Sequence, residues 1–421
     1  MRIINKSNFK SLMLALALGA VLTSCSEDEP VVPQEPVAEP ILLDCATISV
    51  ATTLTNRGSG VDYIVPCYIN VEAPLTIEPG VTIVFKEGAG MLVNDYGSRT
   101  GSINAVGTAE LPIVFTGQTA TPGSWKNIEI ASNKMANKFH YCTIQYAGNS
   151  DGLFAAVKAR INGTDPTKIE IQNTTIRNNK GIGVSVWTNS IIDGWSSNTL
   201  TGNGSYPLEI APNKVKYLDG TGSTYTGNTK NQINVYSQSI LSTKRGYITA
   251  VDGPVHTWEN PGVTFHVSEF IYVRESGHLK IMEGCQITFG QEYGIELQGE
   301  DDIIEVLGTA AKPVSFSGLF GAGSWKGISI TQSNSNLNKI EHTTIADAGQ
   351  SAWNFWLTPT AGISLGFSTV KNVKLKLNKV HISNSGGCGI AKKSNISGTG
   401  LVFTDVTYSS NVGDDVCTQT N

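Results

Sequence analysis

The sequence of 421 residues lacks most of the motifs that direct a first functional assignment. It contains no C-x-x-C pair, no Cys/His cluster and no HExxH motif, so it predicts no metal site and no other cofactor. Its basic residues form no cluster, which argues against nucleic acid as a partner. Helical periodicity is almost absent, and no hydrophobic stretch after residue 24 is long enough to span a membrane. These absences argue against a helical fold and against a further membrane-spanning helix.

The N-terminus has the pattern of a secretory signal peptide over residues 1–24. Three basic residues precede an apolar run over residues 12–22, and the run ends in LTSC. LTSC resembles the lipobox of bacterial lipoproteins, which implies cleavage before Cys25 and acylation of its thiol. SEDE (26–29) resembles the signal that sends some Gram-negative lipoproteins to the outer face of the cell. We expect a lipid-anchored outer-membrane protein that faces the exterior; the alternative is a soluble secreted protein cleaved nearby.

Residues 25–40 are predicted to be an acidic, proline-rich tether. Proline recurs every three or four residues after position 30, without a helical or strand period, so the segment acts as an extended spacer. Without residues 1–24 the chain holds 27 basic and 35 acidic residues, a net charge of 27 − 35 = −8. The mature protein is therefore mildly acidic, and its expected partner at this end is the membrane, through the lipid at Cys25.

The remainder of the chain carries a tandem duplication. GSWKNIEI (123–130) returns as GSWKGISI (323–330), and LTIEPGVTIVF (75–85) returns as LKIMEGCQITF (279–289). The order of these blocks is preserved, with offsets of 323 − 123 = 200 and 279 − 75 = 204 residues. A string that recurs in this way is either a catalytic loop used twice or part of a copied scaffold, and the surrounding parallel favours the scaffold.

Each copy consists of short segments in which apolar residues alternate, such as Val81, Ile83 and Phe85. This period predicts strands with one buried face, and the intervening Gly and Asn predict tight corners. A sandwich, a barrel and a β-solenoid share this pattern. The duplication favours the solenoid, because stacked coils can be copied in series without reclosing a barrel.

Four strings, LTIEPGVTIVF, AVGTAELPIVFTG, GSWKNIEI and QYAG, resemble the right-handed parallel β-helix repeat proteins found among bacterial surface lipoproteins, with a pectin-lyase-like solenoid. The resemblance implies an all-β fold: a single right-handed parallel β-helix over 41–421, built from two tandem units of about 200 residues. We place the first copy at 41–220 and the second at 221–421. With about 25 residues per coil, about fifteen coils are expected.

Within this fold the repeated string is predicted to be structural. Trp125 and Trp325 should each pack over a glycine corner, with Ile128 and Ile130 pointing into the coil. The lysines that follow, Lys126 and Lys326, should be solvated, although contact with a ligand is the alternative.

Cysteine spacing predicts two disulfides, each joining neighbouring coils. Cys45 and Cys67 are 22 residues apart and Cys388 and Cys417 are 29 apart, about one coil in each case. One bond would lie near each end of the solenoid. The two other mature cysteines, Cys142 and Cys285, should be buried thiols. A buried thiol is also the alternative for Cys388, which aligns with an isoleucine of the first copy.

Carboxylates that could serve catalysis are few. The densest acidic stretch is EDD (300–302), with Glu292 and Glu296 nearby, in a loop where solvated acids are the usual case. GDD (413–415) is similar to a polygalacturonase motif, but no other element of that pattern appears, so we assign it no role. The histidines are scattered. The sequence therefore predicts no catalytic residue.

The second copy departs from the first by an insertion, QSAWNFWLTPTAGI (350–363). Trp353, Phe355 and Trp356 lie in what should be an external loop, where aromatic rings can stack on sugar. The alternative is that the rings pack onto the solenoid. We thus hold two hypotheses: a non-catalytic surface protein that binds glycan or another extracellular partner, and a polysaccharide lyase or glycoside hydrolase with a divergent site.

Overall fold

The structure, a computed structural model, describes residues 38–419 apart from 59, 135–136, 150–153, 161–165, 238–245, 354–359, 367–371 and 397. The predicted signal peptide, Cys25 and most of the tether lie outside the described residues. The described part is all-β, as predicted, and its helices are short 3-10 turns: Pro212–Tyr217, Gly220–Gly222, Ala250–Asp252 and Gly398–Gly400. Among the described residues no helix is long and apolar enough to cross a membrane.

The strands stack in parallel ladders, each pairing with a segment further along the chain. The first ladder contains β1 (Ile41–Leu42), β3 (Tyr63–Val65), β6 (Thr82–Phe85), β9 (Ile113–Gly117), β12 (Cys142–Gln145), β15 (Thr175–Arg177) and β18 (Thr199–Thr201). The second contains β2 (Thr52–Leu54), β5 (Pro74–Ile77), β8 (Ser102–Val106), β11 (Lys138–His140), β14 (Lys168–Gln172) and β17 (Ile191–Ser196).

The long ladder passes through both copies. It contains β4 (Tyr68–Val71), β7 (Gly90–Asn94), β10 (Ile128–Ala131), β13 (Ala155–Ala159), β16 (Ile182–Val186), β19 (Leu208–Ile210), β20 (Gln232–Val235), β22 (Thr264–Val267), β25 (Gln286–Phe289), β28 (Val314–Gly318), β30 (Lys339–Ala346), β32 (Leu375–Ser383) and β35 (Thr407–Ser409).

Two further ladders belong to the second copy. The fourth contains β23 (Ile271–Val273), β26 (Gly294–Leu297), β29 (Gly327–Ile330), β31 (Ala361–Leu365), β33 (Cys388–Lys393) and β36 (Val416–Gln419). The fifth contains β21 (His256–Trp258), β24 (His278–Met282), β27 (Ile303–Leu307) and β34 (Leu401–Thr404). Strands β30 and β32 run through a corner and so join the fifth ladder to the long ladder.

The ladders are consistent with a parallel β-solenoid, but its coils vary in length. Paired residues are separated by as few as 83 − 63 = 20 positions (Tyr63 and Ile83) and as many as 128 − 91 = 37 (Met91 and Ile128). The thirteen strands of the long ladder fall short of the fifteen coils expected, because several coils exceed 25 residues.

The core is one continuous cluster of buried apolar side chains that extends from Leu54 to Ile396. Alternate strand residues supply it, which confirms the prediction from period two. Ile128 and Ile130 are both fully buried, as expected for residues that point into the coil. Two buried asparagines brace equivalent corners: Oδ1 of Asn137 accepts the Ile103 N–H (3.1 Å), and Oδ1 of Asn338 accepts the Ile304 N–H (3.0 Å).

Sequence counterparts in the two copies do not share a ladder. Strand β6 belongs to the first ladder, whereas its counterpart β25 lies in the long ladder together with β7. The reason is β20, which pairs with β19 of the first copy on one side and with β22 of the second copy on the other. The second copy is therefore displaced by one face relative to the first.

The cysteines lie where their spacing predicted. Cys45 and Cys67 form one disulfide, with a Cα–Cα separation of 5.8 Å, and Cys388 and Cys417 form the other, at 6.0 Å. Cys142 and Cys285 are free and buried, and burial raises the pKa of the Cys285 thiol to about 12. Neither thiol is therefore a reactive thiolate at neutral pH.

Candidate functional site

The repeated GSWK string builds the same corner twice. Trp125 stacks on Phe85 with ring centroids 4.2 Å apart, and its indole N–H donates to the carbonyl of Gln145 (2.8 Å). In the second copy Trp325 stacks on Phe289 at 4.3 Å and donates to the carbonyl of Ala346 (2.7 Å). Both tryptophans are fully buried. The prediction that this string is scaffold rather than a catalytic loop is confirmed.

The lysines after these tryptophans are not simply solvated, contrary to our expectation. The ammonium of Lys126 lies 5.5 Å from the ring centroid of Tyr68. That of Lys326 lies 5.8 Å from the ring of Phe270 and donates to the carbonyl of Ala352 (3.1 Å). The sequence missed both contacts, because each ring belongs to a coil more than 50 residues earlier in the chain (126 − 68 = 58 and 326 − 270 = 56). Each lysine covers an aromatic face.

In the second copy this lysine adjoins a group of five half-buried rings, which we call the aromatic patch. Phe270 is its centre: Tyr272 lies 5.4 Å away between ring centroids, Tyr293 5.6 Å and Trp353 5.8 Å. Tyr247 extends the patch, at 5.7 Å from Tyr272. All five side chains are of intermediate exposure, so part of each ring reaches solvent. The patch is therefore an aromatic surface on one flank of the fourth ladder.

Trp353 is the predicted binding residue that the structure describes, and it packs onto the coil. A side chain at Gly294 would approach its ring to 2.7 Å, so the ring lies against a glycine backbone. Lys326 lies 5.5 Å from the centroid of the same indole. Its indole N–H is buried and has no hydrogen-bond partner among the described residues. Phe355 and Trp356, the other two predicted residues, lie outside the described residues.

Charged groups border the aromatic patch. The guanidinium of Arg274 lies 4.7 Å from the ring centroid of Tyr247. Glu296 pairs in register with Tyr272 on the next coil. Burial raises the pKa of the Glu296 carboxyl, opposed by a hydrogen bond from Gln298 (3.0 Å) and by the charge of Lys326. The patch thus combines ring faces with hydrogen-bonding groups at its border.

The acidic stretch EDD (300–302) forms no site. Asp302 is fully buried and accepts backbone N–H groups from Gly277 (3.3 Å) and Gln298 (3.1 Å), so it fixes a turn. Burial raises the pKa of its carboxyl, against these hydrogen bonds. Glu300 and Asp301 are exposed, as solvated loop acids are. Within the described residues no group of three or more His, Cys, Asp or Glu side chains can hold a metal ion.

Two motif-like strings are structural rather than catalytic. In GDD (413–415), Asp415 is exposed and its carbonyl accepts the Ile390 N–H (2.9 Å), so the string closes the last coil. A G-x-S-x-G string at 362–366, which our sequence reading overlooked, places Ser364 within β31. That serine is 2% exposed, in a strand paired on both sides, and not on a strand-to-helix turn as a nucleophile elbow requires.

A row of polar residues lies on the outer face of the long ladder, and it was not predicted from the sequence. Five consecutive outward residues, one per coil, are polar and nearly buried: Lys158, Ser185, Glu209, Asn234 and His266. The Glu209 carboxylate accepts Asn234 Nδ2 (2.8 Å) and Ser185 Oγ (3.3 Å). At the N-terminal end of the row, Glu129 forms an ion pair with Arg160. Glu209, Lys158 and His266 can act as acids or bases, but the residues of the row lie in line rather than around one point.

Comparison with protein-family models, with curated proteins and with solved structures found no match.

Proposed function

We propose that this protein is a non-catalytic surface lipoprotein that binds glycan, and that the aromatic patch is its binding surface. The observation that carries the proposal is the cluster of five half-buried rings around Phe270. Sugar rings have apolar faces that stack on such rings, and their hydroxyls match border groups such as Arg274 and Glu296. Among the described residues no group of three or more His, Cys, Asp or Glu side chains could hold a metal ion, so a metal-dependent lyase site gains no support there.

The remaining features of the proposal come from the sequence. We infer a right-handed parallel β-helix of two tandem units, held at the outer membrane by lipid on Cys25. The parallel ladders and the repeated tryptophan corner support the first part. The lipobox-like LTSC string supports the second.

Membrane attachment is tested with Cys25→Ala in cells. The variant should move from the membrane fraction to the soluble fraction, because it loses the acylated thiol. A serine substitution at Cys142, which is buried and free, is the matched control and should stay with the membrane. Membrane association of Cys25→Ala equal to that of the wild type would contradict lipidation.

Glycan binding is tested by screening the mature chain against a glycan array, beside an assay for released reducing sugar. Tyr272→Ala should weaken binding about tenfold or more, the loss of roughly 1.4 kcal/mol that one ring stack provides. The melting temperature should change little, because Tyr272 is half-exposed and outside the core.

Tyr68→Ala is the matched control, because Tyr68 takes the place of Phe270 in the first copy and has no patch around it. It should leave glycan binding unchanged. Trp353→Ala should reduce binding and also lower stability, since its ring packs on the coil. Binding that survives Tyr272→Ala and Trp353→Ala together would remove the patch as the site.

The polar row favours a second candidate, a polysaccharide lyase or hydrolase. It brings Glu209, Lys158 and His266 onto one face, and these types serve as acids and bases in such reactions. Release of reducing ends that Glu209→Gln abolishes would establish this function. Absence of release from every glycan that the protein binds would exclude it.

A further inference from the structure

A cavity of about 300 Å³ opens on the outer surface of the second copy, and none of its lining residues belongs to the aromatic patch. We call it the corner cavity. It lies where the fifth ladder turns into the long ladder. Its lining includes the polar side chains of His342, Thr344, Lys379, His381, Asp405 and Thr407.

The cavity arises from a change in corner length. The corner between β27 and β28 takes six residues, 308–313, whereas each of the next three turns on one left-handed residue. These are His342 (φ 44°), Lys379 (φ 55°) and Asp405 (φ 52°). A longer loop beside three tight corners leaves a recess, and stacking brings the three corner side chains to its edge.

The recess offers both charge and hydroxyl partners. Lys379 and Asp405 are exposed, and neither takes part in an ion pair among the described residues. The ring of His381 is held by two hydroxyls, at 2.9 Å from Thr407 Oγ1 and 3.0 Å from Ser409 Oγ. An ammonium and the imidazole of His342 suit an anionic group, whereas a carboxylate and threonine hydroxyls suit sugar hydroxyls.

The first copy has the same frame without these charges. Its corresponding loop keeps the sequence GTAxxP (107–112 against 308–313). Its three tight corners are Tyr141, Asn173 and Ser197, also left-handed, with φ of 50°, 51° and 55°. Thr175 stands where the second copy has His381, as the register of β15 on β12 shows. The fold therefore does not require the four charged or basic residues of the second copy.

We propose that the corner cavity binds one anionic sugar residue, carrying a carboxylate or a sulfate beside free hydroxyls. Lys379 and the imidazole of His342 face the anion, the ring of His381 forms part of the wall, and Asp405 accepts hydroxyl groups of the sugar ring. The volume is at the lower end of ligand sites and matches a single sugar ring. This site is separate from the aromatic patch, and it extends the proposed function from glycan in general to an anionic residue.

The experiment exchanges the four residues for those of the first copy in the mature chain: His342→Tyr, Lys379→Asn, His381→Thr and Asp405→Ser. The first copy already holds tyrosine, asparagine and serine at such left-handed corners, so the exchanged protein should fold with an unchanged melting temperature. Binding of glucuronate, glucose 6-sulfate and glucose is measured by ligand-observed NMR and calorimetry. Lys379→Asn alone is the smaller variant, should the fourfold exchange lower the melting temperature.

The wild type should bind glucuronate or glucose 6-sulfate at least tenfold more tightly than glucose, and the preferred one identifies the anion. The exchange should remove this preference, Lys379→Asn should remove most of it, and Tyr272→Ala should leave it intact. The proposal is overturned if glucose binds equally well, if neither anionic sugar binds, or if the exchanged protein keeps the preference. Loss in Tyr272→Ala with retention in the exchange supports the aromatic patch alone; the reverse supports the corner cavity alone.

Discussion

The two copies share their interior and differ on their surface. Phe85 and Trp125 of the first copy make the stack that Phe289 and Trp325 make in the second, within 0.1 Å in centroid distance (4.2 against 4.3 Å). Outside, the first copy has Leu92 where the second has Glu296, each partly exposed and each paired to the coil before it. Inward positions are constrained by packing on every side, whereas outward positions can change with little cost.

The flank of the solenoid beside Lys126 and Lys326 carries different groups in the two copies. In the first copy it carries the Cys45–Cys67 disulfide and one ring, Tyr68, beneath Lys126. In the second copy it carries five rings, and the Cys388–Cys417 disulfide joins the last two strands of the same fourth ladder. Both copies therefore have a disulfide near a chain end, and the second copy adds ring surface. Three pairs of matched substitutions and one single substitution test how far the equivalence of the two copies extends.

The largest effect is expected from the buried tryptophans. Trp125→Ala and Trp325→Ala should each lower the free energy of unfolding by about 3–5 kcal/mol, because each removes a fully buried ring and its stacking partner's contact. Urea denaturation followed by circular dichroism measures the loss. A difference above about 2 kcal/mol between the two variants would show that the corners are not equivalent.

Removal of either disulfide should cause the next largest loss of stability, and the two losses should be similar. Replacing both cysteines of a pair with serine removes a closed loop of 22 residues (Cys45–Cys67) or 29 residues (Cys388–Cys417). Loop-closure entropy gives about 3 kcal/mol for each. Mass mapping of the non-reduced wild type should find these two links, with Cys142 unlinked as the control. Any other linkage would mean that the stacking register is wrong.

A smaller decrease in the free energy of unfolding is expected when the two asparagines that brace corners are replaced. Asn137→Ala and Asn338→Ala leave the buried N–H groups of Ile103 and Ile304 without their acceptor. An unpaired buried donor costs about 1–3 kcal/mol, and the two variants should agree. The exposed asparagine Asn372 serves as the control, and its alanine variant should keep wild-type stability. Unequal losses of stability at Asn137 and Asn338 would show that this corner is not equivalent in the two copies.

The smallest effect on stability is expected at a position where the copies differ. The second copy has Glu296 there and the first has Leu92, and each residue pairs with a strand of the coil before it. Burial raises the pKa of Glu296 in the folded protein, so the charged carboxylate is less favourable there than in the unfolded chain. Glu296→Gln should therefore be a few tenths of a kcal/mol more stable than the wild type at pH 8.

That difference should shrink as the pH falls through the pKa of folded Glu296, where the wild-type side chain takes up its proton. Stability curves at several pH values between 4 and 8 measure it. A variant that is less stable than the wild type at pH 8 would mean that Lys326 and Gln298 outweigh burial.

Much of the fold could be predicted because its signals are local. Alternation in VTIVF predicts β6, and one-coil spacing predicts Cys45–Cys67 and Cys388–Cys417. The face shift between copies could not be predicted, since it depends on how one strand, β20, pairs with β19 and β22. Coil number was overestimated because insertions lengthen coils without interrupting the strand pattern.

The candidate sites were harder to predict because stacking assembles them from distant residues. Trp353 was identified from the insertion that contains it, but Phe270 and Tyr247 come from coils 353 − 270 = 83 and 353 − 247 = 106 residues earlier. The corner cavity joins His342, Lys379 and Asp405, which no short motif contains. Aligning the two copies could have found these residues, since each replaces a different residue at the equivalent position of the other copy.

The displacement of one copy by one face gives the outer surface a direction. Along the long ladder a rod-like polymer would first contact side chains such as Glu129 and Lys158, which lie on neighbouring coils of the first copy. It would then contact Thr288 and Ser317, which lie on neighbouring coils of the second copy. Without the shift, the same two sets of groups would repeat along one side and the polymer could bind equally well one period further on. With the shift, the groups along that track do not repeat, so a polymer lying there would have a single register and a defined orientation of its two ends.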